Sequence, residues 1–343
     1  MKKLLNTLYV TTQGAYLCHE GESVLVNVEK ETRLRLPIHA LSGIVCFGQV
    51  ACSQPLMGLC GERGVALTYL SERGQFLARV HGPVSGNVLL RREQYRRAEN
   101  PGHAVQIARN MVIGKMMNCR TVLQRVLRDH GEKQDKETLE PVVRRLGRLT
   151  NEAEREENME ILRGLEGNAA NEYFSVFNNM ITAQKDYFSF QCRSRRPPLD
   201  AVNALLSFVY TLLVHDAVSA LEGVGLDPQM GFLHALRPGR PSLALDLMEE
   251  FRSCLADRLV LSLINLRQID AKGFQKTESG AVLMNDETRK TVLVSYQKRK
   301  QEDILHPFLE ETVPFGLLLH IQALLLARHL RGDMDAYPPF IWR

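Results

Sequence analysis

The chain has 343 residues, which is longer than a single hydrophobic core usually extends, so its length favours two domains. Hydrophobic residues make up 45% and charged residues 24% of the sequence, a composition that argues against a disordered, collagen-like or membrane-embedded protein. The formal net charge of +4 at pH 7 is too small to indicate nucleic-acid binding by itself, so a function has to be inferred from local motifs.

The chain changes its pattern near residue 85. Residues 7–80 consist of short β-branched and aliphatic segments separated by glycine and proline, which predicts antiparallel strands joined by tight turns. After a linker containing Gly82, Pro83 and Gly86, apolar residues recur at helical spacing as far as the C-terminus. We therefore predict an α+β protein, with a small N-terminal β domain at residues 1–85 and a larger all-α domain at residues 86–343.

The cysteines and the apolar segments predict a cytoplasmic protein. The seven cysteines are scattered and include no C-x-x-C pair, which favours reduced thiols over disulfides or a zinc–thiolate site. Polar residues from Asn6 onward interrupt the apolar start of the chain before a signal peptide is complete. The longest apolar run, from Ala201 to Val214, has about 14 residues and is too short to span a bilayer, so we predict a buried helix and no membrane partner.

Residues 91–150 contain 14 basic and 7 acidic side chains. This excess of positive charge has two interpretations, a solvated helical face or a surface that follows the phosphates of a nucleic acid. The sequence alone does not separate them.

Glu166 is the first candidate functional residue. On a helix it falls on the same apolar stripe as Leu162, Ala169, Tyr173 and Phe177. A carboxylate on a buried face is normally neutralised, ion-paired or bound to a metal, because an unpaired buried charge is costly. The position therefore predicts either a salt bridge to one of the arginines or a metal ligand.

His234 is the second candidate. It lies between apolar residues just before a turn, and the acidic residues Asp246, Glu249 and Glu250 follow on the next helix. Relative to the apolar stripe of that helix, Glu249 lies at the flank, Asp246 further round and Glu250 nearly opposite. We expect Glu249 to be the best-placed ligand and Glu250 to be solvated. Without these acidic neighbours, His234 would be interpreted as a core residue.

The donor atoms and the missing motifs limit the chemistry. Two carboxylates and an imidazole without a thiolate suit Mn²⁺ or Mg²⁺ better than zinc. Such an ion acts as a Lewis acid on a phosphoryl oxygen during attack on a phosphodiester. The sequence has no G-x-x-x-x-G-K-[ST] loop, no G-x-S-x-G elbow and no H-E-x-x-H pair, which argues against ATP hydrolysis, acyl transfer and zinc proteolysis.

Several segments, taken in chain order, resemble the Cas1 family of CRISPR-associated adaptation integrases. They are FGQVACS, LLRREQY, LEGNAANEYF, RSRRPPLDAVNALLSFVYTLL, and the pair GFLHAL and SLALDLMEEFR. The final segment, QALLLARHLRGDMDAYPPFIWR, resembles the subtype I-C branch of that family. The resemblance extends over nearly the whole chain.

The resemblance implies partners and a metal site. The β domain at residues 1–85 is expected to form a homodimer, and two dimers are expected to flank a dimer of the small ferredoxin-like Cas2 protein in a heterohexamer. The helical domain at residues 86–343 is expected to bind Mg²⁺ or Mn²⁺. Carried over residue by residue, the metal ligands and catalytic residues are Glu166, His234 and Glu249, with Asp246 either supporting a ligand or contacting the metal.

The implied reaction is integration. The 3′-hydroxyl of a short captured double-stranded DNA attacks a phosphodiester at the edge of a repeat in the CRISPR array, and cleavage by water is the related endonuclease activity. Four residues that adjoin the metal motifs are expected to lie near DNA: Tyr173, Arg195, Arg196 and Arg240. For Tyr173, the helical spacing also favours a position in the core.

Two other functions remain open at this point. The chain could be a stand-alone metal-dependent nuclease acting on branched DNA. It could also be a non-catalytic DNA-binding scaffold, in which Glu166, His234 and Glu249 are ordinary salt-bridge and core residues.

Overall fold

The computed structural model describes residues 6–72, 76–80, 82, 88–130 and 133–342. The chain divides into two compact units. The first comprises the chain up to Gly86 together with Val292–Asp303 and Pro314–Leu317, and the second comprises Asn87–Thr291, Ile304–Val313 and Leu318–Arg343. Pro83 and Gly86 of the predicted linker lie outside the described residues.

Strands dominate the described N-terminal part of the first unit. In chain order the elements are β1 (Asn6–Val10), β2 (Tyr16–Glu20), β3 (Ser23–Val28), β4 (Glu31–Pro37), β5 (Leu41–Phe47), β6 (Ala51–Cys52), α1 (Gln54–Arg63), β7 (Ala66–Leu70) and β8 (Phe76–Val80). They form two four-stranded sheets, with the strand orders β1-β5-β7-β8 and β4-β3-β2-β6.

The prediction of purely antiparallel pairing is wrong for this unit. β1 pairs with β5 in parallel, β5 with β7 in parallel, and β2 with β6 in parallel. The connection from β5 to β7 contains α1, and a parallel pair needs such a crossover because a tight turn can join only antiparallel neighbours. Strand direction therefore depends on contacts between distant segments, which the local spacing of glycines does not encode.

An apolar cluster joins both sheets to α1. Its members include Leu17 on β2, Val24 on β3, Ile44 on β5, Leu56 on α1 and Leu67 on β7, all of them buried. In β3 the buried positions alternate with less buried ones, as expected for a strand with one face in a core. This cluster is the core that stabilises the first unit.

The second unit is mainly helical. The helices that follow residue 87 are α2 (Val88–Glu99), α3 (Pro101–His130), α4 (Lys133–Ala153), α5 (Met159–Ser175), α6 (Ala201–Val224), α7 (Ser242–Phe251), α8 (Arg258–Asn265), α9 (Asp286–Gln301) and α10 (Leu318–Arg331). A π-helical turn, Arg252–Asp257, joins α7 to α8. The part of α9 from Val292 onward belongs to the first unit.

The predicted α+β class, with an N-terminal β region followed by a helical region, is confirmed. The helical region is not all-α, because two two-stranded sheets lie within it. One consists of β9 (Phe274–Lys276) and β10 (Val282–Met284), and the other of β11 (Asp303–Leu305) and β12 (Thr312–Pro314). Strands of three residues are too short to show a period of two in the sequence.

Helix α6 is buried, as its apolar sequence predicts. It is long and apolar enough to cross a membrane by length and composition, but 67% of its most apolar window is buried inside the protein. The Asp200 side chain caps its start by accepting a hydrogen bond from the Asn203 amide, and Gly225 ends it with a φ of +92°. These features are those of a core helix.

Helix α3 determines where the two candidate segments meet. It packs against α5, which carries Glu166, and against α7, which carries Glu249. Residues on α3 can therefore contact both carboxylates.

The core of the first unit can be tested by truncating one buried side chain. Replacing Ile44, which is fully buried on β5, by Ala should lower the free energy of unfolding by about 2–5 kcal/mol, since it removes apolar contacts and leaves a cavity. Urea denaturation followed by circular dichroism measures the change. The control is Leu34→Ala on β4, because Leu34 is 40% exposed. Equal losses for the two variants would contradict the assignment of this core.

Candidate metal centre

Glu166 lies on α5 and faces α3. Asn158 caps α5 by accepting hydrogen bonds from the amides of Glu160 and Ile161, and Leu162, Ala169 and Tyr173 are buried along the stripe that the sequence predicted. The Glu166 side chain is 25% exposed and pairs with Lys115 on α3. The cation next to this carboxylate is therefore a lysine, not one of the arginines that the sequence suggested.

Asp246 holds His234 in place. Its Oδ2 accepts hydrogen bonds from the amides of Phe232 (2.6 Å) and Leu233 (2.9 Å), and its Oδ1 accepts one from the His234 amide (2.9 Å). The His234 Nδ1 lies 2.6 Å from the same Oδ1. We place the proton on Nδ1, because it faces a carboxylate, and this leaves the Nε2 lone pair available to a ligand.

Gly231 allows the loop before His234 to approach α7 closely. A Cβ atom at this position would lie 2.7 Å from Asp246 Oδ2 and 2.8 Å from the carbonyl carbon of Ser242. Those distances are shorter than van der Waals contacts, so a side chain would push the loop away from the carboxylate. Glycine at this position is therefore a condition for the Asp246–His234 contact.

Glu249 lies between one imidazole and two cations. Its Oε1 is 4.0 Å from His234 Nε2 and accepts a hydrogen bond of 2.6 Å from Arg252 Nη1. Its Oε2 is 2.7 Å from Lys115 Nζ. Since Lys115 also pairs with Glu166, one ammonium group connects the two carboxylates. The structure thus joins Glu166 and Glu249 through Lys115 and places His234 Nε2 4.0 Å from Glu249.

The electrostatics keep both members of the Glu249–Lys115 pair charged. Burial raises the pKa of Glu249, but the nearby charges of Arg252 and Lys115 outweigh it and hold that pKa well below its usual range. Burial lowers the pKa of Lys115, and the charges of Glu249 and Glu166 outweigh this effect, so the pKa is raised above its ordinary value. The negative charge of Glu249 is therefore balanced by the positive charges of Lys115 and Arg252.

The donor atoms fit a divalent cation if Lys115 moves aside. Within the described ranges, no group of three His, Cys, Asp or Glu side chains is already arranged around a metal position, and the ammonium group of Lys115 lies between the two carboxylates. Glu249 Oε2 is buried and receives no hydrogen bond with proper geometry, despite its ion pair with Lys115. Two carboxylates and a free imidazole nitrogen form a donor set suited to Mg²⁺ or Mn²⁺.

The prediction that Glu250 is solvated is wrong. Glu250 is fully buried and accepts hydrogen bonds from Tyr337 Oη (2.6 Å), the Phe340 amide (2.7 Å) and Gln322 Nε2 (3.0 Å). Burial raises its pKa to about 8, against the effect of these donors. The apolar stripe of α7 did not predict this burial, because α7 is covered on more than one side.

The predicted DNA contacts divide into buried and surface residues. Tyr173 is 1% exposed and packs edge-on against Phe174 and Phe177, so its ring has no free face for a base and that prediction is corrected. Arg195 and Arg196 are exposed, and Arg240 is half-buried. These three arginines remain available to a phosphate.

Two residues of the site, Lys115 and Arg252, were not predicted from the sequence. Lys115 was counted with the basic side chains of residues 91–150, although it stands in the apolar stretch VIGKMM. A lysine flanked by apolar residues on a helix is a signal of a buried charge. Arg252 follows Glu249 by three residues, which places it one helical turn away.

The role of Lys115 can be tested by removing its charge. In Lys115→Met the carboxylates of Glu166 and Glu249 lose their shared cation, so the metal-free protein should be less stable by about 3 kcal/mol. Because Lys115 then no longer competes with Mn²⁺ for the two carboxylates, the dissociation constant of Mn²⁺ should fall by about tenfold. Calorimetric titration and thermal unfolding measure the two effects.

Lys115→Arg, which keeps the positive charge, is the matched control and should resemble the wild type in both measurements. Unchanged or weaker Mn²⁺ binding by Lys115→Met would contradict the proposed competition between the ammonium group and the metal.

Comparisons with known proteins identify the family. The profile of the family described as CRISPR associated protein Cas1 matches residues 8–298. The CRISPR-associated endonuclease Cas1 1 of Chlorobaculum tepidum is 57% identical over 343 residues, with 100% of both chains covered.

Two solved structures have a similar fold. A chain of a Cas6-RT-Cas1–Cas2 complex superposes with a TM-score of 0.82 at 22% identity, covering 100% of this chain and 36% of that one. A casposase bound to its integration product superposes with a TM-score of 0.82 at 20% identity, covering 98% and 94%. The match to the family profile and the identity to the Chlorobaculum protein show that the chain belongs to the Cas1 family of CRISPR-associated proteins.

Proposed function

We propose that this chain is the metal-dependent DNA integrase of CRISPR adaptation, which inserts short captured DNA into the CRISPR array and has an associated endonuclease activity. The observation that carries the proposal is that Lys115 pairs with both Glu166 and Glu249, and that His234 Nε2 lies 4.0 Å from Glu249 Oε1. Membership in the Cas1 family supports it. The casposase with a similar fold was solved with its integration product.

In this proposal each side chain has one task. Glu166, His234 Nε2 and Glu249 bind Mg²⁺ or Mn²⁺, and Asp246 orients the imidazole through Nδ1. When bound, the divalent ion supplies a Lewis acid for the phosphoryl oxygen. Arg252 keeps its contact with Glu249, and Lys115 provides positive charge next to the reacting phosphate.

The reaction needs no external energy source. The 3′-hydroxyl oxygen of the captured DNA forms a bond to phosphorus, and the bond from phosphorus to the departing 3′-oxygen of the array breaks. One phosphodiester replaces another, and the proton of the attacking hydroxyl ends on the departing oxygen. This balance agrees with a sequence that has no phosphate-binding loop for ATP. In the endonuclease reaction, water takes the place of the hydroxyl.

The proposal includes partners that the family resemblance implies. Double-stranded DNA is the substrate, and Arg195, Arg196 and Arg240 are the proposed phosphate contacts. The β domain at residues 1–85 forms the homodimer, the domain at residues 86–343 carries catalysis, and Cas2 completes a heterohexamer. A Cas6-RT-Cas1–Cas2 complex among the similar folds supports Cas2 as a partner. We further propose a cytoplasmic location and a subtype I-C system.

Strand joining tests the function directly. A labelled short duplex with free 3′-hydroxyls, a plasmid with a repeat array, Mn²⁺ and Cas2 should yield joined product with the wild type. His234→Ala should lower the rate at least about a hundredfold, because a metal ligand is lost. His103→Ala, at an exposed position on α3, is the control and should join strands normally.

The other possible results would each indicate a different function or a different metal site. If His234→Ala joins strands at the wild-type rate, the metal assignment is wrong. Cleavage without joining would favour a stand-alone nuclease acting on branched DNA. Binding without either reaction would favour a non-catalytic scaffold.

The arginine contacts are tested by the salt dependence of DNA binding. Arg196→Ala should weaken binding to all sequences alike, because a phosphate contact carries no sequence information. The slope of log K against log salt should fall by about 1. Arg33→Ala, which removes an exposed arginine paired with Glu31, should leave the slope unchanged. An unchanged slope in Arg196→Ala would remove that residue from the proposed interface.

A further inference from the structure

The C-terminal segment after α10, defined here as the tail (residues 333–342), packs onto the second unit. Chain ends are usually poorly ordered unless other contacts hold them. In this tail Tyr337 is 1% exposed, Phe340 0% and Trp342 5%. Three large aromatic residues are therefore buried within the last seven residues of the chain.

The tail binds the residue next to a proposed metal ligand. Tyr337 Oη and the Phe340 amide donate to the two carboxylate oxygens of Glu250 at 2.6 and 2.7 Å. The Phe340 ring also stacks on Phe251 at a centroid distance of 5.2 Å and an interplanar angle of 16°. Two consecutive residues of α7, immediately after Glu249, are therefore held by the tail.

The tail also binds the helix on the other side of the site. Asn118 on α3 donates through Nδ2 to the carbonyls of Glu250 (2.7 Å) and Phe340 (2.8 Å), and its Oδ1 accepts from the Trp342 amide (2.7 Å). Asn118 lies one helical turn after Lys115 on the same helix. The buried side-chain amide of Asn118 therefore connects α3, α7 and the tail beside the Lys115–Glu249 pair.

Trp342 completes this attachment. Its ring contacts two guanidinium groups, with Arg125 Cζ at 3.7 Å and Arg258 Cζ at 4.5 Å from the centroid. Arg125 is on α3, and Arg258 begins α8, which follows α7 through the π-helical turn. Two cation–π contacts to one ring therefore join these helices.

We infer that the tail is a positioning element of the metal centre. By holding Glu250 and Asn118, it fixes α7 against α3 at the distance that brings Glu249 to Glu166 and His234. Tyr337 does not touch the metal ligands and acts through Glu250, so it is a positioning residue. This inference rests on the metal binding proposed above.

Coupling of this kind has to be reciprocal. If the attached tail improves metal binding, then metal binding must stabilise the attached tail by the same factor. A tail that only adds general stability has no such effect. The reciprocal effect therefore separates a positioning role from simple packing.

The chain carries its own reporter for this test, because Trp342 is its only tryptophan. Tryptophan emission and acrylamide quenching measure how far the ring is exposed to solvent. Addition of Mg²⁺ to the full-length protein should reduce the quenching constant by about twofold or more. His234→Ala, which lacks a metal ligand, should show no such change.

The reverse direction is tested with Tyr337→Phe. This variant removes one hydrogen bond to the buried carboxyl group of Glu250, and the loss of a donor to a buried polar group is large enough to change an affinity by about tenfold. We expect about tenfold weaker Mg²⁺ binding by calorimetry and a more readily quenched Trp342. The matched control is Tyr95→Phe, which removes an equally short 2.6 Å bond to Asp227 and should leave both values unchanged.

A second variant protects the test against misfolding. A chain that ends at Asp335 should bind Mg²⁺ weakly, and a synthetic peptide of residues 335–343 added in trans should restore the affinity. Restoration by a free peptide shows that the rest of the chain is folded. The same peptide with Tyr337→Phe should restore less.

The outcomes separate this inference from the proposed function. If the wild type binds no Mg²⁺ or Mn²⁺, the proposed function and this inference both fail. If the wild type binds metal but Tyr337→Phe and the shortened chain bind it equally well, and Trp342 does not respond to Mg²⁺, the tail has no positioning role and only this inference is overturned.

Discussion

The arrangement of the second unit depends on the burial of three carboxylates in little more than one turn of α7. Asp246, Glu249 and Glu250 are each at most 3% exposed. A carboxyl group that is buried there without ion-pair or hydrogen-bond partners costs up to several kcal/mol. Each of the three therefore needs partners, and α7 alone does not provide them.

The partners come from segments that are distant in the chain. Asp246 is satisfied by the loop that carries His234, Glu249 by Lys115 on α3 and by Arg252, and Glu250 by the tail and α10. The contacts that satisfy these three buried carboxyl groups therefore fix a loop, two helices and the tail relative to α7. These contacts hold the backbone around the proposed metal centre, while Lys115 between the two carboxylates is the group that has to move for a cation to bind.

The kind of partner explains why adjacent residues have different roles. Glu249 faces cations that hold its pKa low, so it stays ionised and suits a metal. Glu250 faces only neutral donors, and burial raises its pKa to about 8, so it suits a structural anchor. Environments that separate the pKa values of neighbouring carboxyl groups are a recurrent way of assigning them different tasks.

Part of this account follows from the sequence. The helical phase of Glu166 and of Glu249, the histidine before the turn and the family motifs pointed to three residues that the structure connects. Lys115 pairs with Glu166 and Glu249, and His234 Nε2 lies 4.0 Å from Glu249. The burial of Glu250 and Tyr173 and the position of Lys115 could not be derived in the same way. A stripe on one helix describes one buried face, whereas α7 is also covered by the tail. Lys115 and Glu249 are 134 residues apart in the chain, so their ion pair leaves no local sequence pattern. The parallel pairing of β1 with β5 leaves none either.

The most direct test of the central claim is the position of a metal ion in crystals grown with Mn²⁺, located by its anomalous scattering. The account predicts a peak in contact with Glu166, Glu249 and His234 Nε2, with the Lys115 ammonium group displaced from between the two carboxylates. A peak elsewhere in the second unit, or Lys115 still paired with both carboxylates at saturating Mn²⁺, would contradict it.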